Sequence, residues 1–311
     1  MMTLNLCEQA CFEAIQSQFS TEEVKPLNSM TIDEFRQGLG VFSDHAGSPA
    51  NVTWVDHTLQ LQHATSLRCR VFNADLPDGP ALIFFPGNGY VNPLFEVNAI
   101  ACSRIAALLA MRVILVDLDL VPEHALPAVL NSACEAVEAI AQQRETFMVD
   151  PQALYLGGFS SGAHCAVAVS HRLIDSPALK IRHLVLLNGV YDIDQTHTDY
   201  LAFSKHDMLC TLEAAQCCMA FWGLSESERK QPLYSPVYSK QLAQLPPTTV
   251  LVSEYDGIRD QSEYFYQRLV AVGANVKKRV LAGQSHNTLI LRDTMREGLD
   301  PAQVIAEVVS Q

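Results

Sequence analysis

Gly158-Phe159-Ser160-Ser161-Gly162 restricts what this chain can fold into more than any other stretch, and its neighbours supply the restriction. Ala153-Leu154-Tyr155-Leu156 before it is an apolar run of strand length. Ala163 to Ile174 after it carries Ala163, Val167 and Ile174 near helical spacing. A strand that turns at once into a helix needs glycine on both sides of the bend, so that the chain can pack tightly. The same turn lifts the middle side chain, here Ser160, clear of the backbone and beside the unpaired N–H groups that open a helix. The five-residue pattern alone is weak; its strand–turn–helix setting makes it specific.

The rest of the chain repeats the alternation. Asn51–Gln62 and Leu67–Asn73 have β texture, and Ala81–Phe85, Val113–Val116, 153–156, Leu184–Leu187, Thr249–Ser253 and Val276–Leu281 read as strands. Helical patterns cover Ala99–Ala110, 127–143, 162–174, 261–272 and about 300–309. Continuous apolar strands between amphipathic helices predict an α/β fold, a mostly parallel twisted sheet of about eight strands covered on both faces. Reactive residues in such sheets gather at the carboxyl ends of the strands.

Two regions stand outside that core. From Leu4 to Asp44 the pattern is helical, with Leu6, Ala10, Ile15 and Phe19 on one side and a capping box, Thr31-Ile32-Asp33-Glu34, before Phe35. Residues 195–245 break the alternation with Cys217-Cys218-Met219-Ala220-Phe221-Trp222, a polar run, Pro232 and Pro236. They read as an insertion that covers the mouth of the site together with the N-terminal helices. The expected division is 1–45 as a helical cap segment, 46–194 and 246–311 as the two parts of the core, and 195–245 as the cap insertion.

A chain of 311 residues, 49% of them hydrophobic, can bury the core of one large α/β domain. Asp+Glu 34 against Lys+Arg 21 gives a net charge of −13 with no basic run, which argues against nucleic-acid or anionic-membrane partners. The nine cysteines are odd in number, scattered and without C-x-x-C spacing, and Cys217-Cys218 are badly placed to bridge. They read as free thiols in a reducing compartment. Met1 to Ser20 lacks the basic and apolar regions of a signal peptide, and no apolar run reaches transmembrane length. The expectation is a cytoplasmic protein with no integral membrane segment.

A serine nucleophile needs a base, the base needs an orienting group, and the oxyanion needs donors. Asp256 follows the Val250–Ser253 run and His286 follows Val276–Leu281, both at carboxyl ends. The order Ser160, Asp256, His286 is that of an α/β-hydrolase triad, in which the histidine takes the serine proton and the carboxylate holds its tautomer. Asp260 competes for the acid, but Asp260-Gln261-Ser262-Glu263 reads as a helix start, which makes Asp260 an N-cap. Gly87-Asn88-Gly89 lacks the third glycine and the lysine of phosphate-binding loops. The N–H groups of Asn88, Gly89 and Ser161 are the expected oxyanion donors. His164, His171, His183, His197 and His206 show no metal-ligand spacing, so neither a metal nor a cofactor is expected. Tyr90, Phe159, Phe221 and Trp222 are candidate pocket residues beside the site.

These residues bring a family into view. The chain resembles the hormone-sensitive-lipase-like branch of α/β-hydrolase esterases over most of residues 80–290. Asp117-Leu118-Asp119-Leu120-Val121-Pro122-Glu123-His124 with Pro127-Ala128 is similar to the branch's D-Y-R-L-A-P-E-H…P-A segment. Ser235-Pro236 with Leu245-Pro246-Pro247 resembles the stretch before its acid, and Asp256-Gly257-Ile258-Arg259-Asp260 its D-P-L-R-D. The resemblance implies hydrolysis of carboxylic esters, a small-molecule substrate, through an acyl-enzyme without a cofactor, under a cap. Three places depart from it: Pro86-Gly87-Asn88-Gly89 for H-G-G-G, Gly158-Phe159-Ser160-Ser161-Gly162 for G-D-S-A-G, and His286-Asn287-Thr288 for H-G-F. Two alternatives stay open on the same scaffold. One is amide hydrolysis, as in arylformamidases; the other is a non-catalytic ligand-binding protein, as in plant gibberellin receptors. Oligomeric state is not written in the chain.

Overall fold

The computed structural model describes residues 29–37, 40–62, 66–194, 210, 212–292 and 299–311. The expected helical positions Leu6, Ala10, Ile15 and Phe19 lie outside them. The strands are β1 Trp54–Leu59, β2 Leu67–Phe72, β3 Gly79–Phe85, β4 Arg112–Val116, β5 Val149–Phe159, β6 Ile181–Leu187, β7 Thr248–Ser253 and β8 Val276–Leu281. They form an 8-stranded sheet in the order β1-β2-β4-β3-β5-β6-β7-β8. β1 and β2 pair antiparallel, as do β2 and β4, and every later pairing is parallel. The described helices are α1 Ile32–Gln37, α2 Gly40–Asp44, α3 Phe95–Ala107, α4 Leu126–Gln142, α5 Arg144–Phe147, α6 Ser161–Leu173, α7 Leu212–Phe221, α8 Glu226–Arg229, α9 Arg259–Ala271 and α10 Pro301–Val309.

Successive strand side chains leave a sheet on opposite faces, and here they supply two cores. Ala81, Ile83 and Phe85 join Leu154, Leu156, Leu184, Leu186, Val250 and Val252 under α4 and α6. Leu82 and Phe84 join Val113, Leu115, Val185, Leu187 and Leu251 under α3 and α10. Both faces being covered explains why the inner strands β3, β4, β6 and β7 read as largely apolar runs rather than alternating ones, whereas the edge strands β1 and β8 are mostly exposed.

Element ends differ from expectation where tertiary contacts override local preference. α3 starts at Phe95 rather than Ala99, because Phe95 is buried and the Asn98 side chain is taken up inside the protein. β5 runs from Val149 through Phe159, held by β3 and β6 up to the bend. α9 begins at Arg259, so Asp260 stands in its first turn and is not the N-cap, which is Ile258. The capping box at Thr31 is present: Thr31 N–H donates to Glu34 Oε2 at 2.8 Å and Glu34 N–H to Thr31 Oγ1 at 3.3 Å.

Candidate active site

β5 ends at Phe159 and α6 begins at Ser161, leaving Ser160 alone in the bend with φ 56° and ψ −122°. Its N–H donates to the Leu187 carbonyl at 2.9 Å, which ties the bend to the end of β6. A methyl group on Gly158 would stand 2.2 Å from Gly162, and one on Gly162 would stand 2.1 Å from the Phe85 carbonyl oxygen. Both glycines are therefore required by contact with neighbouring backbone. The strain they permit holds the Ser160 hydroxyl out of the fold, half-exposed at the sheet's carboxyl edge.

Two loops, following β7 and β8, arrive beside it. Nε2 of His286 lies 3.0 Å from Ser160 Oγ, and Nδ1 lies 2.8 Å from Asp256 Oδ1. Asp256 is fully buried and His286 nearly so. Asp256 Oδ1 also accepts the Ile258 N–H at 2.8 Å, which orients the carboxylate from its own loop. Tyr255 N–H donates to the Gln284 carbonyl at 2.8 Å, and Gly283 N–H donates to Glu254 Oε2 at 2.8 Å, so the acid and histidine loops are laced together. Asn188, at the end of β6, donates through Nδ2 to the His286 carbonyl at 3.0 Å and to Ser253 Oγ at 2.9 Å. Sequence reasoning missed Asn188; the only sign was an asparagine directly after a buried strand, where its positive φ of 49° is tolerated.

The loop after β3 is held by side chains from three directions. Gly87 N–H donates to Asn98 Oδ1 at 3.0 Å, and Tyr90 N–H donates to Asn88 Oδ1 at 2.9 Å. Trp222 Nε1–H donates to the Gly89 carbonyl at 2.8 Å. The expected donors divide here. Asn88 N–H is engaged, donating to Ser161 Oγ at 3.2 Å. Gly89 N–H and Ser161 N–H are engaged by no hydrogen bond among the described residues, and Ser161 N–H opens α6.

The expected pocket residues fall into two groups. Tyr90 and Phe159 are buried, and Trp222 nearly so. The Tyr90 hydroxyl lies 2.8 Å from His164 Nδ1, and the Trp222 indole ring packs edge-on to Tyr90 with centroids 5.4 Å apart. Phe159 leans on His286 with centroids 5.1 Å apart and fills the space above Gly87. These three thus back the loop and the histidine, whereas Phe221 is half-buried against Phe35 of α1, with centroids 5.6 Å apart. Arg36 of α1 reaches the same rim, donating to the Val91 carbonyl at 2.7 Å and the Val121 carbonyl at 3.0 Å, with a two-point pair to Glu123. That guanidinium lowers the Glu123 carboxyl to about 2.

The geometry has counterparts among known proteins. Residues 82–290 match a family described as alpha/beta hydrolase fold, and the chain belongs to that family. It is 28% identical over 203 residues to an esterase of Acinetobacter venetianus, covering 65% of this chain and 65% of that protein. It is 25% identical over 207 residues to esterase LipI of Mycobacterium tuberculosis, covering 65% and 63%. The chain thus spans slightly less than two thirds of these curated relatives. The hyperthermophilic esterase of Pyrobaculum calidifontis superposes with a TM-score of 0.85 at 22% identity, covering 99% of this chain and 98% of that one. A thermostable esterase from Pseudomonas putida gives 0.84 at 22% identity, covering 100% and 97%. These two superpositions support the same fold.

Proposed function

We propose that this α/β hydrolase cleaves carboxylic esters of small to medium acyl chains, with Ser160, His286 and Asp256 as its catalytic residues. The observation that carries the reading is the continuous path from the half-exposed Ser160 hydroxyl through both His286 nitrogens to a buried carboxylate. The relatives named esterase support the choice of bond. Ser160 Oγ attacks the ester carbonyl carbon as its proton passes to His286 Nε2, and Asp256 stabilises the imidazolium. The carbonyl oxygen becomes an oxyanion received by the N–H groups of Gly89 and Ser161. The C–O bond then breaks, the alcohol leaves with the proton from His286, and an acyl group remains on Ser160. Water, deprotonated by the same nitrogen, releases the carboxylic acid and restores the hydroxyl. No cofactor enters these steps.

In this reading α1 and the described part of the insertion, 212–245, form a cap over the site, supported by the Phe35–Phe221 contact and by the Trp222 bond to Gly89. The partner is a small-molecule ester rather than a nucleic acid, given the net charge of −13. We place the protein in the cytoplasm, since the described cysteines are unbridged. Among the described residues no helix is long and apolar enough to cross a membrane.

The test is hydrolysis of p-nitrophenyl esters of graded chain length by the wild type, Ser160→Ala and Ser161→Ala. Loss of Ser160 is expected to lower turnover by about a millionfold, by analogy with other triads, while Ser161→Ala stays active. Activity that survives the first change and disappears with the second would assign the nucleophile wrongly. Faster release of kynurenine from N-formylkynurenine than of any p-nitrophenol would make the enzyme an amide hydrolase instead.

A further inference from the structure

We propose that Cys210, Asp256 and His286 form a site for a soft divalent cation of the zinc class, and that its occupancy turns the triad off. One ligand atom from each residue, a sulfur, a carboxylate oxygen and a ring nitrogen, lies within 4.8 Å of the others. No other such group of three occurs among the described residues. Asp256 supplies a second, independent observation. Its Oδ1 accepts both from His286 Nδ1 and from Ile258 N–H, while Oδ2 is buried with no hydrogen-bond partner among the described residues. A buried carboxylate oxygen with no donor is costly, and a cation is one species that removes the cost.

The donor set selects the cation. Thiolate and imidazole bind zinc-class ions in preference to magnesium or calcium, and a carboxylate completes a three-ligand site with water in the fourth position. Tetrahedral bonds of about 2.0–2.3 Å bring the ligand atoms to roughly 3.3–3.8 Å from one another. Side-chain movements of about an ångström close the present spread to that value. The Cys210 sulfur is half-buried, unlike Cys102 and Cys165, whose thiols are sealed in the core and pushed up by burial.

The consequence for His286 is the same whichever ring nitrogen binds. At Nε2 the metal takes the lone pair that faces Ser160; at Nδ1 it displaces the proton held by Asp256. Ser160 is left without a working base in both cases. Binding sends the Cys210 proton to solvent, so affinity rises with pH. The switch rests on the esterase reading; the metal site itself does not.

The experiment titrates zinc alone into the purified full-length protein by calorimetry, and records the thiolate-to-metal charge-transfer band with cobalt(II). Cys210→Ala is expected to weaken zinc binding by about a hundredfold or more, since loss of even an outer partner costs 10–100-fold, and to abolish the band. Ser160→Ala should retain both. Saturating zinc should also shield Cys210 of the wild type from iodoacetamide, read by peptide mass. Zinc should inhibit ester cleavage by the wild type, reversibly with a chelator, and should spare Cys210→Ser. Unchanged affinity in Cys210→Ala, or alkylation of Cys210 that zinc does not slow, would overturn the site. Should Cys210→Ala not fold, the shielding of the wild type decides. If the protein cleaves no ester, the calorimetry and the shielding still decide whether the metal binds at Cys210.

Discussion

Trp222 donates its indole N–H to the carbonyl of Gly89 at 2.8 Å, across 133 positions of sequence. A peptide group is rigid and planar, so fixing that carbonyl fixes the Tyr90 N–H of the same unit, which donates to Asn88 Oδ1, and thereby restrains Gly89 from its carboxyl side. One side chain of the insertion thereby sets the aim of the loop that faces Ser160.

Trp222→Phe keeps the aromatic contact with Tyr90 and removes only the donor. We expect kcat to fall by about tenfold with KM changed less than twofold, a fraction of the hundred- to thousandfold that loss of a whole oxyanion donor costs. Steady-state kinetics on one p-nitrophenyl ester decides it, and a rise in KM alone would mean that Trp222 touches substrate instead.

Ser161 occupies the Asn88 N–H through its hydroxyl, at 3.2 Å. Ser161→Ala removes that acceptor and leaves the Asn88 amide available to the oxyanion beside Gly89 and Ser161 N–H. The expected outcome is a kcat raised by several-fold to about tenfold, part of the value of one donor. A fall in kcat would show that the hydroxyl supports the loop more than it blocks it.

The bend at Ser160 predicts an unusual order of stabilities. Its φ of 56° with ψ of −122° stores about 1–3 kcal/mol in any residue with a Cβ. Glycine relieves that strain but loses about 0.4–1 kcal/mol through its freer unfolded chain. Ser160→Gly should therefore be more stable than Ser160→Ala by about 1 kcal/mol in urea unfolding. Both variants lack the hydroxyl, so a Ser160→Gly protein less stable than Ser160→Ala would show that the bend is unstrained.

Two histidines give acid sensitivity. Burial lowers His164 to about 4, against smaller opposing effects of the Tyr234 and Leu233 backbone, and burial alone lowers His171 to about 4. Between the ordinary value of 6.5 and about 4, the unfolded chain binds a proton at each of these positions and the folded protein does not. Stability is therefore fully present above pH 6.5 and is lost as pH falls towards 4. His164→Gln should lower stability at pH 7, because the Tyr90 hydroxyl loses its partner. The same change should flatten the acid limb by about 1.4 kcal/mol per pH unit. Urea midpoints at several pH values check the slope, and an unchanged slope would mean that His164 is protonated in the folded state.

Much of the fold was legible because its signals are local. The buried strands announced themselves as short apolar runs, and each of those from Ala81–Phe85 to Thr249–Ser253 is found in the sheet, as is the mostly exposed Val276–Leu281 at its edge. The exceptions are instructive. Asp260 carries a helix-start pattern, yet α9 begins two residues before the expected 261, because the chain leaving β7 is already turned by the Asp256–Ile258 hydrogen bond. Phe95, Val97 and Asn98 are poor helix formers, yet α3 starts there because Asn98 binds the Gly87 backbone from inside the first turn.

Periodicity and nearest-neighbour sterics act over a few residues, so the alternating elements, the glycine-bracketed bend and the order of Ser160, Asp256 and His286 belonged to the sequence alone. Distances across the sheet do not act that way. The Ser161 hydroxyl on the Asn88 amide, the Trp222 indole on Gly89, Asn188 on the His286 carbonyl and Cys210 beside Asp256 and His286 each join segments far apart in the chain. Those pairings depend on which faces of distant elements pack together, and only the tertiary structure decided them.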